Sequence, residues 1–428
     1  MLSLVEALNY RCLRYVRQPL ERFHVLVGPN ASGKTTFLDV AGFISDYVSD
    51  GLSVALEKRT PNFIDLLFGR AGYKFELAIE AVVPDRLVKV PGANAVTRKC
   101  RYELDIGIDP LTNEVGTVSE VLRIQSIDPI DPSDRLISHS CPNSCDVPST
   151  LVQTSIPGEL WAAFPGWSVV IAREADGSTS YLQERPIAET GKGFRIRLSP
   201  NRSALGSVQD DEALFAVSMW LRDVFTQGVK TISLDSKKLQ SPSPPNQSRL
   251  FKTDASNLPW VVEDFRKKHP ARFNDWKQHL REALPNLKDI DTYEQEWDRH
   301  RYLTLEYDDG LKIPSWTASD GTLRLLALTL PAFLPDLQGV FLIEEPENGV
   351  HPRAVETLFQ ALSNVYGAQV LIATHSPVLL GLADPAQVLC FAKDEYGATD
   401  IVRGDEHPML AEWKRDVALQ DYFVAGVL

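Results

Sequence analysis

The sequence has 428 residues, 44% hydrophobic and 24% charged, the proportions of an ordinary globular protein with room for two or three lobes. A formal net charge of −13 argues against a surface that is basic throughout and wraps nucleic acid, although 44 Lys and Arg leave room for one local basic groove. No apolar run is long enough to span a bilayer, the opening MLSLVEALNYRCLRY is not a secretory leader, and five cysteines do not make a disulfide framework, so the cytosol is the expected compartment.

In chain order, Leu13 to Val16 reads as a strand, Pro19 as a break, and Phe23 to Val27 as a second strand running straight into Gly28. Beyond Thr36, apolar residues from Phe37 to Val48 recur at helical spacing. Tyr73 to Val83, Arg101 to Ile108 and Glu120 to Ile127 alternate polar with apolar, which predicts antiparallel strands of a small β lobe. Loop chemistry follows from about 128 (IDPIDPSD, then SCPNSCDVPST), with short strands at Ser168 to Ala172 and Phe194 to Leu198. A helix is expected from near Asp211 to about Thr226, an exposed loop at the proline-rich 241–248, and helix again over 259–284. The last third alternates helix and strand. Leu323 to Leu330 and Pro352 to Tyr366 are helical, while Val340 to Ile343, Gln369 to Thr374 and Val388 to Ala392 are apolar strands, which predicts a parallel sheet covered on both faces. The fold class is therefore α/β, a phosphate-loop nucleotide-binding domain split by an insertion. The N-terminal half spans 1–130, an insertion with short strands and a helical lobe spans 131–311, and the C-terminal half spans 312–428.

Four motifs carry chemistry. Residues 28–35 read GPNASGKT between a strand and a helix: Gly28, Pro29, Asn30, Ala31, Ser32, Gly33, Lys34, Thr35 and Thr36 form a candidate phosphate loop. Its glycines let backbone N–H groups turn towards phosphate oxygens, Lys34 supplies charge to the β- and γ-phosphates, and the Thr35 hydroxyl suits Mg²⁺. The strand VFLI then ends in Glu344 and Glu345; the first acid suits Mg²⁺ and the second can polarise an attacking water. His375, in LIATHSP, falls at the carboxyl end of another buried strand, where open α/β sheets bind ligands. Ser319, Asp320 and Gly321 precede a helix; alone they read as a helix cap.

In this order the motifs resemble the ABC-type ATPases of the RecF and overcoming-lysogenization-defect kind, and most closely the stand-alone bacterial ATPases of that group. ASDGTLRLLAL is similar to their signature segment, EEPENGVHP to their Walker B and D-loop, ATHSP to their switch-histidine strand, KTDASNLPWVV to a linker before their helical lobe, and AEWKRDVALQDYFVAGVL to their tail. The resemblance implies ATP and Mg²⁺ as cofactors and a head-to-tail dimer with two ATP molecules at its interface. Ser319 and Gly321 of one copy would then face Lys34, Thr35, Glu344, Glu345 and His375 of the other. This chain carries Glu344 where the wider group has aspartate, SDGT in place of LSGGQ, and no recognisable Q-loop glutamine. Tyr10, Arg11 and Tyr15 are candidates for stacking on adenine.

The resemblance leaves several functions open: a switch that gates a separate effector (a nuclease or toxin) in anti-phage defence, a RecF-like clamp on DNA, or a transporter's energy subunit. The signature and the long insertion disfavour the transporter, and the acidic charge favours the switch over the clamp. The stretch after His375 is too short for the nuclease domain of the overcoming-lysogenization-defect proteins, so any effector is expected on another chain and no membrane is involved. His139, Cys141 and Cys145 lack a clear fourth zinc ligand, and Cys390 reads as a small core residue.

Overall fold

The structure is a computed structural model that describes residues 1–88, 96–110, 112–127, 147–152, 167–184, 193–335 and 337–408. Its strands, in chain order, are β1 (Leu2–Tyr10), β2 (Leu13–Pro19), β3 (Phe23–Val27), β4 (Lys74–Val82), β5 (Val96–Ile108), β6 (Val115–Ile127), β7 (Trp167–Arg173), β8 (Ser178–Tyr181), β9 (Phe194–Arg197), β10 (Val229–Ile232), β11 (Leu287–Glu294), β12 (Arg301–Tyr307), β13 (Lys312–Pro314), β14 (Gly339–Glu344), β15 (Ala368–Ala373), β16 (Val388–Lys393) and β17 (Thr399–Arg403). The helices are α1 (Lys34–Asp50), α2 (Leu52–Glu57), α3 (Asp85–Val88), α4 (Glu212–Asp223), α5 (Ser236–Gln240), α6 (Leu258–Lys268), α7 (Pro270–Ala283), α8 (Asp320–Thr329), α9 (Val355–Ser363) and α10 (Pro377–Leu382). None of the described helices is long and apolar enough to cross a membrane. The chain divides into two compact units, the first made of Met1–Glu21, Gly28–Val229 and Phe391–Val402, the second of Arg22–Val27, Lys230–Cys390 and Arg403–Leu428.

The first unit is built on an eight-stranded sheet of order β2-β1-β4-β5-β6-β7-β8-β9, antiparallel at each register from β2 to β9. In β5, Tyr102, Leu104 and Ile106 alternate with Arg101, Glu103 and Asp105, so one face is apolar and the other charged. The charged face is still largely buried, and pairing within and across strands keeps it so: Arg101 bonds Glu103 along β5 at 2.7 Å, and Lys74 bonds Glu76 along β4 at 2.6 Å and Asp105 across to β5 at 2.8 Å. On the apolar side, Tyr10, Phe43 and Phe63 close around Phe75 at ring separations of 5.0, 5.4 and 5.7 Å. One carboxylate intrudes there. Glu120, fully buried, accepts from the hydroxyls of Tyr47, Tyr102 and Ser203 and from the backbone N–H groups of Ala204 and Leu205, all within 2.9 Å.

In the second unit β14, β15, β3 and β16 lie side by side in that order, all parallel, as their apolar sequences require of strands buried on both faces. A second, antiparallel sheet of order β11-β12-β13 packs Ile290, Leu303 and Leu305 into the same core as Phe265, Phe273 and Trp276 of α6 and α7. The sequence reading does not mark this sheet or β1. The helical patterns of 259–284 form two helices, α6 and α7, parted at His269 because Pro270 has no N–H to continue α6 and instead opens α7. One further reading is corrected. The loop of 241–248 is not wholly exposed: Ser243 is buried and exchanges two backbone hydrogen bonds, 2.7 and 2.9 Å, with Arg301.

Glu120 generates a stability prediction. Glu120→Ala strands three hydroxyls and two amides in the interior, so it should destabilise the protein by about 3–5 kcal/mol. Urea unfolding would test this; a loss under about 1 kcal/mol would mean that the carboxylate does not organise this face.

Candidate functional site

The first unit contains the phosphate loop. Three of its residues have left-handed φ angles, Gly28 at 146°, Ala31 at 62° and Gly33 at 109°, a succession that turns backbone N–H groups to one side. A Cβ on Gly28 would lie 2.2 Å from the Phe391 carbonyl oxygen, and one on Gly33 2.2 Å from Thr399 Oγ1, so both positions exclude every other residue. α1 starts at Lys34 with Gly33 as its cap, no side-chain cap and no acidic residue in its first turn, leaving the positive end of the helix dipole open to an anion. Lys34 is buried, and its Nζ donates to the carbonyls of Gly28 at 2.9 Å and Pro29 at 3.0 Å, curling over the loop. The Ser32 hydroxyl is buried with no hydrogen-bond partner. The orphaned hydroxyl fits a phosphate oxygen, which would satisfy it.

In the second unit the catalytic candidates collect on one edge of the parallel sheet. Glu344 is in register with Ala373, and Ala373 with Leu26, so β14, β15 and β3 end level with one another about 4.8 Å apart. Glu344 is exposed there, and Glu345 and His375 are partly buried. Glu345 has a left-handed φ of 47°, uncommon for a residue with a side chain. It is held by its N–H bond to the Ala373 carbonyl at 2.7 Å, while its carboxylate accepts from Asn348 Nδ2. Thr374 ties three pieces together: its N–H donates to the Leu26 carbonyl at 3.1 Å, its hydroxyl donates to Glu347, and it accepts from Ser376 N at 2.9 Å. Asn348 and Thr374 were not marked as site residues, although both lie within quoted motifs.

Ser319 is the N-cap of α8; its hydroxyl oxygen accepts from Thr322 N at 3.1 Å. Gly321, partly buried, is closely packed. A Cβ there would sit 2.3 Å from the Gly349 carbonyl oxygen, so the turn before α8 packs backbone to backbone against the loop after Glu345. Gly349 in turn has φ 78° and faces Asp320 and Arg324.

The sequence profile of the family described as "AAA domain, putative AbiEii toxin, Type IV TA system" matches residues 23–101 and 177–381, more than half of the chain. The chain belongs to this family. The matched span includes the phosphate loop, Ser319–Gly321, Glu344, Glu345 and His375, and the family makes the chain an ATP-binding domain of the AAA/ABC ATPase class. Among solved structures it is similar to an SMC head bound to the C-terminal winged-helix domain of ScpA, at 13% identity over 94% of this chain and 97% of that one, TM-score 0.47. It is also similar to the Smc head with an extended coiled coil bound to the C-terminal domain of ScpA, from Pyrococcus furiosus (13% identity, 94% and 95% coverage, TM-score 0.47). A third is the SMC head domain from Thermotoga maritima (11%, 94% and 98%, TM-score 0.39). No curated protein matches the sequence.

Of the adenine-stacking candidates, Tyr10 is corrected by packing. The Tyr10 ring is fully buried among Phe43 and Phe75 and its hydroxyl donates to Asp39 at 2.6 Å, so it has no face for a base. Arg11 pairs with the same Asp39 at 3.4 Å, and the Tyr15 hydroxyl donates to Glu6 at 3.4 Å. Cys390 is a buried core residue whose thiol burial pushes up to about 12, well away from thiolate chemistry. His139, Cys141 and Cys145 and the tail from 411 lie outside the described residues. Among the described residues no cluster of three or more His, Cys, Asp or Glu could hold a metal.

The glycine contact is directly testable. Gly321→Ala should force α8 and the Gly349 turn apart and destabilise the protein by about 1–3 kcal/mol. An unchanged urea midpoint would show that the two turns do not pack this closely in solution.

Proposed function

We propose that the chain is a Mg²⁺-dependent ATPase of the RecF/overcoming-lysogenization-defect kind that closes as a head-to-tail dimer on two ATP molecules and gates a separate effector. The observation that carries the reading is the in-register row of Glu344, Ala373 and Leu26. It supports a shared role for the acid pair and the histidine that follow β14 and β15 at the carboxyl ends of these strands. Two carboxylates at the end of a buried strand, one strained and clamped by Asn348, suit ATP hydrolysis better than a structural turn.

In this reading Lys34 leaves the Gly28 and Pro29 carbonyls for the β- and γ-phosphate oxygens, and the amides of residues 31–35 cradle the β-phosphate. Thr35 and Glu344 would hold Mg²⁺, which when bound neutralises phosphate charge. Glu345 orients the attacking water and takes its proton as the bond from the γ-phosphorus to the bridging oxygen breaks, giving ADP and phosphate. His375 hydrogen-bonds the γ-phosphate. Ser319 would act on the partner copy's nucleotide: its oxygen accepts from Thr322 N and lies 2.7 Å from Thr322 Oγ1, and with Thr322 as the donor of that pair the Ser319 hydrogen would turn to the phosphate. The family's description, with its toxin and type IV toxin–antitoxin system, is in keeping with nucleotide-driven control of an effector in anti-phage defence.

Glu345→Gln keeps shape and removes the base. Its turnover should fall about 10²–10³-fold while ATP binding persists, and light scattering at saturating ATP and Mg²⁺ should report a particle of twice the monomer mass. A variant that binds ATP yet stays monomeric would sink the dimer.

A further inference from the structure

The phosphate loop has a support that no motif marks. Residues 391–402, far along the chain, belong to the same compact unit as the loop. They touch it at both glycines: the Phe391 carbonyl lies under Gly28, and Thr399 lies under Gly33. The Phe391 ring also packs edge-on against Phe37 of α1 at 5.6 Å. Thr399 is itself nearly fully buried, and it makes two directed bonds. Its hydroxyl donates to the Ser32 carbonyl at 2.8 Å, and its N–H donates to the carbonyl of Cys12, in the turn between β1 and β2, at 2.9 Å. Asp394 fixes the turn before it by accepting from the N–H groups of Tyr396 and Ala398 at 2.9 and 2.8 Å.

We propose that Thr399 is a positioning residue for nucleotide binding, its hydroxyl setting the orientation of the Ser32–Gly33 peptide; this rests on the ATP reading of the loop. The argument is geometric. In a trans peptide the C=O and N–H point to opposite sides, so a hydroxyl that captures the Ser32 carbonyl turns the Gly33 N–H away from Thr399. Gly33 cannot hold that orientation by itself, because at φ 109° it has the widest backbone freedom of any residue type. The peptide needs an outside clamp, and Thr399 supplies one anchored through Cys12 to the first hairpin. Unlike Lys34, Thr399 need not touch the nucleotide: its hydrogen is committed to the carbonyl.

The test compares Thr399→Val, which keeps the shape and loses the hydroxyl, with Thr399→Ser, which keeps the hydroxyl. ATP affinity and steady-state kinetics would be measured for both, for wild type and for Lys34→Ala. The valine variant should bind ATP about tenfold more weakly, with a matching rise in KM and kcat within about twofold, since one buried carbonyl loses its donor. The serine variant should restore affinity to within about twofold of wild type. Equal ATP affinity in the valine variant and wild type overturns the proposal. So does a serine variant as impaired as the valine one, which would assign the effect to packing. If the valine variant fails to fold, the serine variant decides by itself: near-native affinity upholds the role and a tenfold loss refutes it. Wild type that binds no better than Lys34→Ala would instead remove the ATP reading, and this proposal with it.

Discussion

Everything in the second unit depends on β3 finding partners from the far end of the chain. Its five residues, all buried, are hydrogen-bonded in parallel to β15 on one side and β16 on the other. His24 meets the Gln387 carbonyl at 3.1 Å across 363 positions. Parallel strands cannot be joined by a tight turn, so this pairing requires a loop of almost the whole sequence to close before the sheet repays any of its entropy. The level row of Glu344, Ala373 and Leu26 does not exist until that closure has happened. Folding of the sheet and assembly of the acid edge are therefore one event.

The two units use polar groups differently. In the first, buried charges are matched by donors or by opposite charges: Glu120 collects hydroxyls from a helix, a strand and a loop, and Lys74 spans Glu76 and Asp105. These networks specify how the elements meet. In the second, the polar residues near the acid edge are supports for others. Asn348 holds Glu345, Thr374 holds Glu347, and Ser319 closes the first turn of α8. Placement of that kind fixes the direction of a carboxylate.

Strong local patterns made much of this legible from the sequence. GPNASGKT between β3 and α1, the apolar runs of β14 and β15, and the alternation in β4 to β6 each declare themselves within a few residues. Long-range contacts did not. Tyr10 looked like a base-stacking ring because its burial comes from Phe43 and Phe75, far off in the sequence. Nothing near Gly321 in the sequence shows that its constraint is the Gly349 carbonyl, and nothing near Thr399 shows that its partner is the Ser32 carbonyl. The sheet of β11 to β13 was hidden for another reason: Asp289, Asp291, Glu294 and Glu306 dilute its alternation with charge that elsewhere signals loop or helix.

The left-handed backbone of Glu345 bears on how variants at this position are interpreted. A side chain in that conformation carries strain of the order of 1–3 kcal/mol, balanced here by the bonds to Ala373 and Asn348. A glycine would relieve the strain while deleting the acid, and an alanine would delete the acid while keeping the strain. The two truncations therefore differ in stability as well as chemistry, and neither isolates the carboxylate. Substitution meets the same coupling: asparagine and aspartate, which after glycine tolerate this backbone best, are one methylene too short to reach where the glutamate reaches. Position 345 is thus confined by its backbone and its reach together, a narrower corridor than either would impose alone.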